Sequence, residues 1–260
     1  MAKSGTKKPA WVVDRERTGR GPERLWLFGL HAVRDALLNP NRRRFRLIVT
    51  KNAADRLADA IQAADITPEM SDPRRFAAPI DPQSVHQGAA LEVAPLDWGS
   101  VSERCAPGNS APRVLLLDRV TDPHNIGAIL RSAEVFGARA VIAPHRHSAP
   151  ETGALAKAAS GALERQPYLR VPNLAKAMQS LHQMGYMIAG LDGTADITLD
   201  TLAPQAAGVP LALVLGAEGP GLRELTRKTC DTLVRIPFES DFGSLNVSNA
   251  AAVALYAASR

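Results

Sequence analysis

Three separated segments hold the residues of this sequence that could do chemistry. They span residues 118–132, 213–222 and 243–250, and each joins a predicted strand or turn to a predicted helix. Glycines in such junctions let backbone amides approach a ligand, and polar side chains there can orient it. The side chains that could act are Asn125, Arg131, Glu218, Asn246 and Ser248. One junction of this kind is a weak signal, but three together indicate a single ligand site.

In the first segment a predicted strand ends at Asp118 and a predicted helix begins at about Gly127. Asn125 can cap that helix, because its side-chain oxygen can accept a hydrogen bond from a free amide of the first turn. Arg131 then lies early in the helix, three residues before Glu134 and on a neighbouring face. Taken alone, this segment has a structural interpretation as a capped helix with an exposed ion pair.

The second segment follows an apolar strand and carries the carboxylate of Glu218 at the rim of a glycine-rich turn. Glu218 occupies the position of the second glycine in the dinucleotide-binding fingerprint, and no Lys-Ser or Lys-Thr follows as in a P-loop. A nucleoside triphosphate site is therefore not expected. In the third segment, Ser248 could cap an alanine-rich helix over residues 249–258. Each of these two segments, like the first, could be purely structural by itself.

The histidines and cysteines favour neither a metal site nor a disulfide. Cys105 and Cys230 are far apart, and neither belongs to a Cys-x-x-Cys pair. His145 and His147 have no third ligand in view. His124 follows Pro123 in a predicted turn, where a hydrogen-bonded structural histidine is favoured over a catalytic acid or base.

The composition favours a polyanionic partner. The formal charge is +5, and each phosphate that Lys or Arg neutralises releases condensed counterions. Aromatic residues make up only 5% of the chain, which argues against a surface that binds single strands mainly by base stacking. A basic but otherwise ordinary enzyme is the alternative. No secretory signal or membrane span is predicted, so we expect a cytoplasmic protein without membrane association.

The sequence of the N-terminal part indicates a flexible tail followed by a small domain. Residues 1–24 are rich in Lys, Arg, Gly and Pro and indicate a flexible basic tail. Residues 25–96 predict a small α/β domain, whose elements are a helix at 27–38, a strand at 46–50, a helix at 53–64 and a closing strand at 87–93. Residues 97–112 predict a linker. An arginine run before the first predicted strand could contact RNA phosphates or could be a solvated face; it consists of Arg42, Arg43, Arg44 and Arg46.

From residue 113 to residue 260, apolar strands alternate with helical segments. This alternation is typical of an α/β fold with a parallel sheet and helices on both faces. Ligands of such sheets bind beyond the carboxyl ends of the strands. The three polar segments are therefore expected to meet at that edge.

These three segments resemble the motifs of the TrmH (SpoU) branch of the SPOUT RNA methyltransferases, which move a methyl group from S-adenosylmethionine to a ribose 2′-hydroxyl. The resemblance implies a SPOUT catalytic domain over residues 113–260, a C-terminal trefoil knot and a homodimer that uses both subunits around the site. It gives catalytic roles to Arg131, Asn125, Glu218, Asn246 and Ser248. The residues that it assigns to cofactor binding are Gly216, Glu218, Gly219, Ile236, Leu245 and Asn246.

The resemblance leaves two roles open for Arg131. One is a general base for the ribose hydroxyl, although a guanidinium normally keeps its proton far above neutral pH. The other is an arginine that holds the target phosphate and orients the 2′-oxygen.

A fainter likeness covers residues 27–95. The run Leu27-Phe28-Gly29-Leu30-His31-Ala32-Val33 resembles the beginning of the ribosomal protein L30-like substrate-binding domain of RlmB-like enzymes. This likeness implies that the substrate is a guanosine of 23S ribosomal RNA. A transfer RNA ribose methyltransferase and a non-catalytic RNA-binding ribosome-assembly factor are the alternatives.

Overall fold

The structure is a computed structural model that describes residues 24–238 and 245–259. The predicted basic tail lies outside these ranges except for Arg24, and so do Gly243 and Ser244 of the third polar segment. Within the described ranges, no helix combines the length and the apolar character that a membrane crossing requires.

A four-stranded sheet forms the N-terminal module. Its strand order is β1-β4-β2-β3, with β4 antiparallel to both of its neighbours and β3 parallel to β2. Apolar side chains on one face of the sheet pack against three helices. The elements are β1 (Leu25–Phe28), α1 (Leu30–Leu38), β2 (Arg44–Val49), α2 (Lys51–Arg56), α3 (Ala58–Ala64), β3 (Glu69–Met70) and β4 (Ala89–Val93).

The prediction of one helix over residues 27–38 was wrong at its beginning. Leu27 lies in β1 opposite Leu91, and the helix begins only after Gly29. Gly29 has φ 92°, a conformation that lets the chain leave the strand and enter the helix within one residue. The apolar residues of the strand and the helix run on without a break, so spacing alone did not separate the two elements.

The predicted linker is packed against the rest of the protein. Residues 97–112 contain a short helix, α4 (Val101–Arg104), which begins with a capping box between Ser100 and Glu103. The side chain of Cys105 is fully buried, and its carbonyl oxygen accepts a 2.7 Å hydrogen bond from the hydroxyl of Tyr186. The Pro, Gly and Ser residues of this segment therefore form defined turns and not a loose tether.

The second sheet has seven strands in the order β7-β6-β5-β10-β8-β11-β9, and every pairing is parallel. The predicted parallel sheet is thus confirmed. The central strands β5, β6 and β10 are almost wholly buried, as continuous apolar runs require when both faces are covered. The strands are β5 (Arg113–Asp118), β6 (Ala140–Pro144), β7 (Tyr168–Val171), β8 (Met187–Leu191), β9 (Ile197–Thr198), β10 (Leu211–Gly216) and β11 (Thr232–Arg235).

Within the part of the chain that the structure describes, six helices connect these strands or follow them. They are α5 (Pro123–Val135), α6 (Gly153–Ala159), α7 (Leu174–Gln183), α8 (Leu199–Gln205), α9 (Glu224–Thr229) and α10 (Val247–Ala258), and a 3-10 turn (Ala162–Glu164) follows α6. The sequence did not predict β9 and α8. The strand has only two residues, and the short helix carries Pro204 near its end, so neither leaves a clear apolar period.

Candidate active site

The first two polar segments meet because of strand register. β10 pairs with β5 in parallel, and Gly216 lies directly opposite Asp118 at the carboxyl ends of the two strands. The turn after β10 therefore lies beside the turn that leads into α5. α10 packs against α5 and against both strands, so the beginning of this last helix reaches the same edge.

Side chains from all three segments form a hydrogen-bonded cluster at this edge. The amide nitrogen of Asn246 donates to Glu218 Oε1 at 2.7 Å and to Asn125 Oδ1 at 3.0 Å. Asn125 Nδ2 also donates to Glu218 Oε1, at 3.3 Å, and so does the backbone amide of Val247, at 3.4 Å. Glu218 and Asn246 are exposed and Asn125 is half-buried. The predicted convergence of the three segments is confirmed by these distances.

Two predicted helix caps were wrong, and the correct caps explain the cluster. α5 begins at Pro123 with Asp122 as its cap, so Asn125 lies inside the first turn and its side chain can reach Glu218. α10 is capped by Asn246, whose Oδ1 accepts from both the amide and the hydroxyl of Ser248. Ser248 is therefore the second residue of that helix. In the two places an Asx side chain that lies three and two residues earlier, respectively, occupies the cap position.

The turn after β10 leaves no room for a side chain at Gly216, and its other two glycines, Gly219 and Gly221, have positive φ angles. A Cβ added to Gly216 would lie 2.2 Å from the carbonyl carbon of Gly221 and 2.5 Å from the nitrogen of Leu222. The amide of Gly221 donates to the Ala217 oxygen at 3.0 Å, and Gly219 has φ 83°. This turn holds Glu218 at the rim while its backbone stays accessible.

Asp118 is a structural residue of the site that the sequence argument did not single out. Its side chain is fully buried at the end of β5 and accepts from Arg223, at 3.0 Å from the backbone amide and at 2.6 Å from Nε. Arg223 immediately precedes α9, so this pair fixes the far end of the glycine turn. An acidic residue that ends an otherwise apolar strand was the available signal.

Arg131 lies apart from the cluster. It is six residues after Asn125 on α5, which places it about 9 Å further along the axis and about 120° away around the helix. Its side chain is exposed and makes no hydrogen bond or ion pair with any residue in 24–238 or 245–259. The possible ion pair with Glu134 does not form, because Glu134 instead accepts from Arg165.

Two of the residues that the resemblance assigns to cofactor binding keep part of their apolar surface exposed. Leu245, next to Asn246, is 40% exposed, and Ile236 is half-buried after β11. Gly216 and Gly219 leave backbone accessible in the turn after β10, and Glu218 supplies a carboxylate there. A cofactor with a cationic or hydroxyl-rich part and an apolar part could be held by these residues. Across the described ranges, no three His, Cys, Asp or Glu side chains gather as metal ligands.

The four arginines at the beginning of β2 lie in different environments. Arg42 is a correction to the predicted RNA contacts: its side chain is fully buried and paired with Glu151 and Glu164, so it cannot reach a phosphate. Arg44 donates to the carbonyl oxygen of Leu37. Arg46 is half-exposed and forms a bidentate pair with Glu69, at 2.9 Å for both bonds.

Arg43 is also exposed, and its guanidinium carbon lies 5.1 Å from the centre of the Phe45 ring. Arg24 stacks on the same ring at 4.0 Å. The sequence pattern could not distinguish these arginines, because the partners of the buried one come from segments more than a hundred residues away.

Two family descriptions match the chain. The SpoU rRNA Methylase family matches residues 112–256, and the family described as RNA 2′-O ribose methyltransferase substrate binding matches residues 26–98. Together they cover both sheets. The boundary between the two matches falls in the packed segment that contains α4.

Curated relatives align over most of the chain. The 23S rRNA (guanosine-2′-O-)-methyltransferase RlmB of Ralstonia nicotianae is 41% identical over 241 residues, which is 90% of this chain and 94% of the relative. The protein of the same name from Photobacterium profundum is 39% identical, over 90% of this chain and 96% of the relative.

Solved structures have a similar fold at lower identity. The SpoU methyltransferase AviRb from Streptomyces viridochromogenes, in complex with AdoMet, superposes with a TM-score of 0.78 at 23% identity and covers 96% of this chain and 95% of that chain. An AdoMet-bound rRNA methyltransferase from Sinorhizobium meliloti gives 0.76 at 21% identity, over 90% and 86% of the two chains. From the family matches and the identity to curated relatives, we conclude that this chain belongs to the SpoU rRNA methylase family.

Proposed function

We propose that this protein transfers a methyl group from S-adenosylmethionine to the ribose 2′-hydroxyl of a guanosine in 23S ribosomal RNA. The observation that carries the proposal is the cluster of Asn125, Glu218 and Asn246 beside the tight glycine turn. The curated relatives named for this reaction align over 90% of the chain. The net charge of +5 also suits an RNA substrate.

The cofactor, when bound, supplies an electrophilic methyl carbon. On this proposal the backbone around Gly216, Gly219, Ile236 and Leu245 holds it, and Glu218 and Asn246 orient it from the rim of the turn. Because Glu218 receives three amide hydrogen bonds, its carboxylate is held in one position before any ligand arrives. Such preorganisation contributes to the alignment that methyl transfer to oxygen needs.

Asn125 and Ser248 complete the catalytic set by positioning. Asn125 donates one amide hydrogen to Glu218 and accepts from Asn246, so its side-chain orientation is fixed. The hydroxyl of Ser248 donates to Asn246 Oδ1 at 2.5 Å and fixes that amide in turn. The two residues therefore hold the polar atoms that face the reacting groups.

We assign Arg131 to holding the target phosphate and orienting the 2′-oxygen. Its exposed guanidinium has no carboxylate partner among the described residues, so it is available to bind a phosphate. A guanidinium keeps its proton near neutral pH, so it serves better as a hydrogen-bond donor than as a general base. On this assignment Arg131 is not the acceptor of the hydroxyl proton.

We propose a homodimer, because Arg131 lies apart from the polar cluster of its own chain and could reach the cluster of a second copy. Val135 lies one turn after Arg131 on α5 and is 76% exposed, and Val253 and Tyr256 of the adjacent α10 are 41% and 47% exposed. We propose that a second copy of the chain covers this apolar face, so that Arg131 of one protomer reaches the polar cluster of the other. Light scattering of the protein and of Val135→Glu tests it: the proposal predicts a dimer that the substitution separates.

We also propose a C-terminal trefoil knot and a ribosomal protein L30-like N-terminal domain. The return of the chain from β11 to α10, which packs on β5 and β10 with its first amide bonded to Glu218, supports a C-terminal trefoil knot. The mixed sheet of the N-terminal module supports a ribosomal protein L30-like substrate-binding domain. We keep its limits at residues 25–96, with a connecting segment at 97–112 and the catalytic domain at 113–260.

We further propose that Arg43, Arg44 and Arg46 contribute RNA contacts, together with the basic tail over residues 1–24. Arg43 offers an exposed guanidinium, whereas Arg44 and Arg46 would have to share theirs with existing partners. A ribosomal RNA substrate implies a cytoplasmic location.

Mapping of ribose methylation tests the function. Purified protein is incubated with S-adenosylmethionine and either 23S ribosomal RNA or total transfer RNA, and 2′-O-methylated positions are read from each. The proposal predicts one new methylated guanosine in the ribosomal RNA. Methylation confined to transfer RNA would support the rival ribose methyltransferase. Binding of RNA without any binding of S-adenosylmethionine would support a non-catalytic assembly factor.

A further inference from the structure

The N-terminal module and the catalytic domain share one apolar core. Leu27, Val33 and Leu37 of the module belong to the same buried cluster as Leu130 and Leu155 of the catalytic domain. The contact is close, because a Cβ added to Gly153 at the beginning of α6 would lie 2.3 Å from the Phe28 ring. Nothing but hydrogen fits between these two elements.

A buried arginine crosses the same boundary. Arg42, between α1 and β2, binds Glu164 through Nε at 3.0 Å and through Nη2 at 2.7 Å. Its Nη1 donates to Glu151 at 2.8 Å and to the carbonyl oxygen of Ala94 at 2.8 Å. The side chains of Arg42, Glu151 and Glu164 are 0%, 8% and 3% exposed.

The two carboxylates extend this contact to further segments. Glu151 accepts from the backbone amide of Leu96 at 3.0 Å, and it precedes α6 in the segment that leaves β6 at the catalytic edge. Glu164 accepts from the side chain of Asn39 at 2.9 Å. Burial raises the pKa of Glu151, against the opposing effect of the Arg42 charge. Arg42 is therefore needed to keep both buried carboxylates compensated.

A second arginine links the module to the helix of the catalytic arginine. Arg165 donates to Asp35 of α1 at 2.6 Å and also pairs with Glu134 of α5. Glu134 lies three residues after Arg131 on that helix. Because Arg165 binds both helices, a displacement of α1 would also shift α5, the helix that carries Asn125 and Arg131.

We infer that Arg42 is a positioning residue that fixes the RNA-recognising module to the catalytic domain as one rigid body. The module then presents its RNA contacts at a constant distance from the polar cluster, and a guanosine is selected partly by its separation from a second RNA element. This inference rests on the proposed function, because it concerns how the same RNA is recognised.

Distance measurement between the two parts tests rigidity without any RNA. Spin labels are attached at Ala63→Cys on α3 and Gln179→Cys on α7, both exposed positions, and labelled protein is diluted with unlabelled protein. Burial raises the pKa of the native thiols, to about 11 for Cys105 and about 12 for Cys230, so they react slowly at neutral pH. We expect a single narrow distance distribution, and a broad or bimodal one would overturn the inference.

The role of Arg42 is tested in the same labelled protein. Arg42→Met with Glu151→Gln and Glu164→Gln removes all three charges together, which avoids stranding a buried carboxylate. Arg34→Met with Asp59→Asn is the matched control, since it removes an exposed pair within the module. We expect the distribution to broaden only in the triple variant. An unchanged narrow distribution there would show that the apolar contact alone fixes the module.

Kinetics separate positioning from general damage. In the triple variant we expect the KM for a 23S ribosomal RNA fragment to rise roughly tenfold or more, because the linked binding sites lose effective concentration. The Kd for S-adenosylmethionine should stay within about twofold, since none of the three substituted side chains hydrogen-bonds to Asn125, Glu218 or Asn246. An unchanged KM, or a Kd that rises in parallel, would contradict a positioning role.

A reversible crosslink provides a second, independent test. A Cβ at position 161 would lie 3.3 Å from the Cβ of Asp35, near the roughly 3.8 Å of disulfides, so Asp35→Cys with Gly161→Cys can clamp the two parts. Gly161 has φ 90°, but the oxidised and reduced forms share that strain. We expect equal methylation rates for the two forms. Loss of activity on oxidation, with recovery on reduction, would mean that the module must move.

Failure of this inference can be told from failure of the proposed function. If unmodified protein methylates no RNA, the proposed function fails, while the label distances still report whether the module is fixed. If unmodified protein methylates ribosomal RNA but its distances are broad, only the positioning role of Arg42 fails.

Discussion

Two polar clusters join segments that are distant in the sequence, one open to solvent and one sealed. The cluster of Asn125, Glu218 and Asn246 lies at the carboxyl edge of the parallel sheet, and all of the donors to Glu218 among the described residues are amides. The cluster around Arg42 is buried and charge-paired. A carboxylate that has only amide partners at an accessible edge is therefore available to a ligand, whereas buried charges that pair with one another hold the two domains together.

The largest effect should come from breaking the sealed cluster. Arg42→Met alone leaves Glu151 and Glu164 buried without their cation, and such a loss costs about 3–5 kcal/mol in the free energy of unfolding. Urea denaturation followed by circular dichroism measures it. The half-exposed pair of Arg46 with Glu69 is the comparison, because Arg46→Met should cost about 0–1 kcal/mol. Equal losses of unfolding free energy in the two variants would show that the buried cluster stabilises the protein no more than an exposed ion pair does.

A substitution of Arg131, at the exposed active site, should lower the rate of methylation and leave the free energy of unfolding unchanged. Arg131→Lys keeps the charge but loses the planar donor geometry, so we expect roughly a hundredfold or greater loss of single-turnover methylation with RNA binding retained. The exposed Arg34→Lys is the control. Substantial methylation by Arg131→Lys would remove Arg131 from the chemistry.

The glycine turn allows a smaller, more local test. Gly216→Ala places a methyl group 2.2 Å from the Gly221 carbonyl carbon, so the turn must open and the Kd for S-adenosylmethionine should rise roughly tenfold. Gly193→Ala is the matched control, since no atom lies within 4 Å of a Cβ there. Calorimetric titration compares the two. Equal affinities would mean that the turn does not shape the cofactor site.

The smallest effect concerns the arginine run. Arg43→Ala should weaken binding of a 23S ribosomal RNA fragment by about threefold at moderate salt and lower the salt dependence of binding by about one ion. Fluorescence anisotropy at several salt concentrations measures both quantities. An unaltered salt dependence would exclude a phosphate contact by Arg43.

The sequence predicted the parallel sheet and the meeting of the three polar segments because both follow from local signals. Continuous apolar runs identified the buried strands, and glycine or Asx residues marked where those strands end. Cap positions were wrong because Asp122 and Asn246 compete with their neighbours for the same role. Local spacing cannot decide which of two polar side chains, two or three residues apart, caps the first turn of the helix.

Features that depend on distant partners could not be predicted. Arg42 looks like its neighbours in the sequence, and only the approach of Glu151 and Glu164 makes it a buried residue. Asp118 likewise acquires its role from Arg223, 105 positions away. The segment at 97–112 has the composition of a linker, but Cys105 and Tyr186 attach it to the catalytic domain.

Calorimetric titration with S-adenosylmethionine of the unmodified protein and of Glu218→Gln tests most directly whether the open cluster is a cofactor site. The account predicts saturable binding by the unmodified protein and a roughly tenfold weaker Kd for the variant, because an amide oxygen replaces a fixed carboxylate. No measurable binding by the unmodified protein, or equal affinity in both, would contradict it.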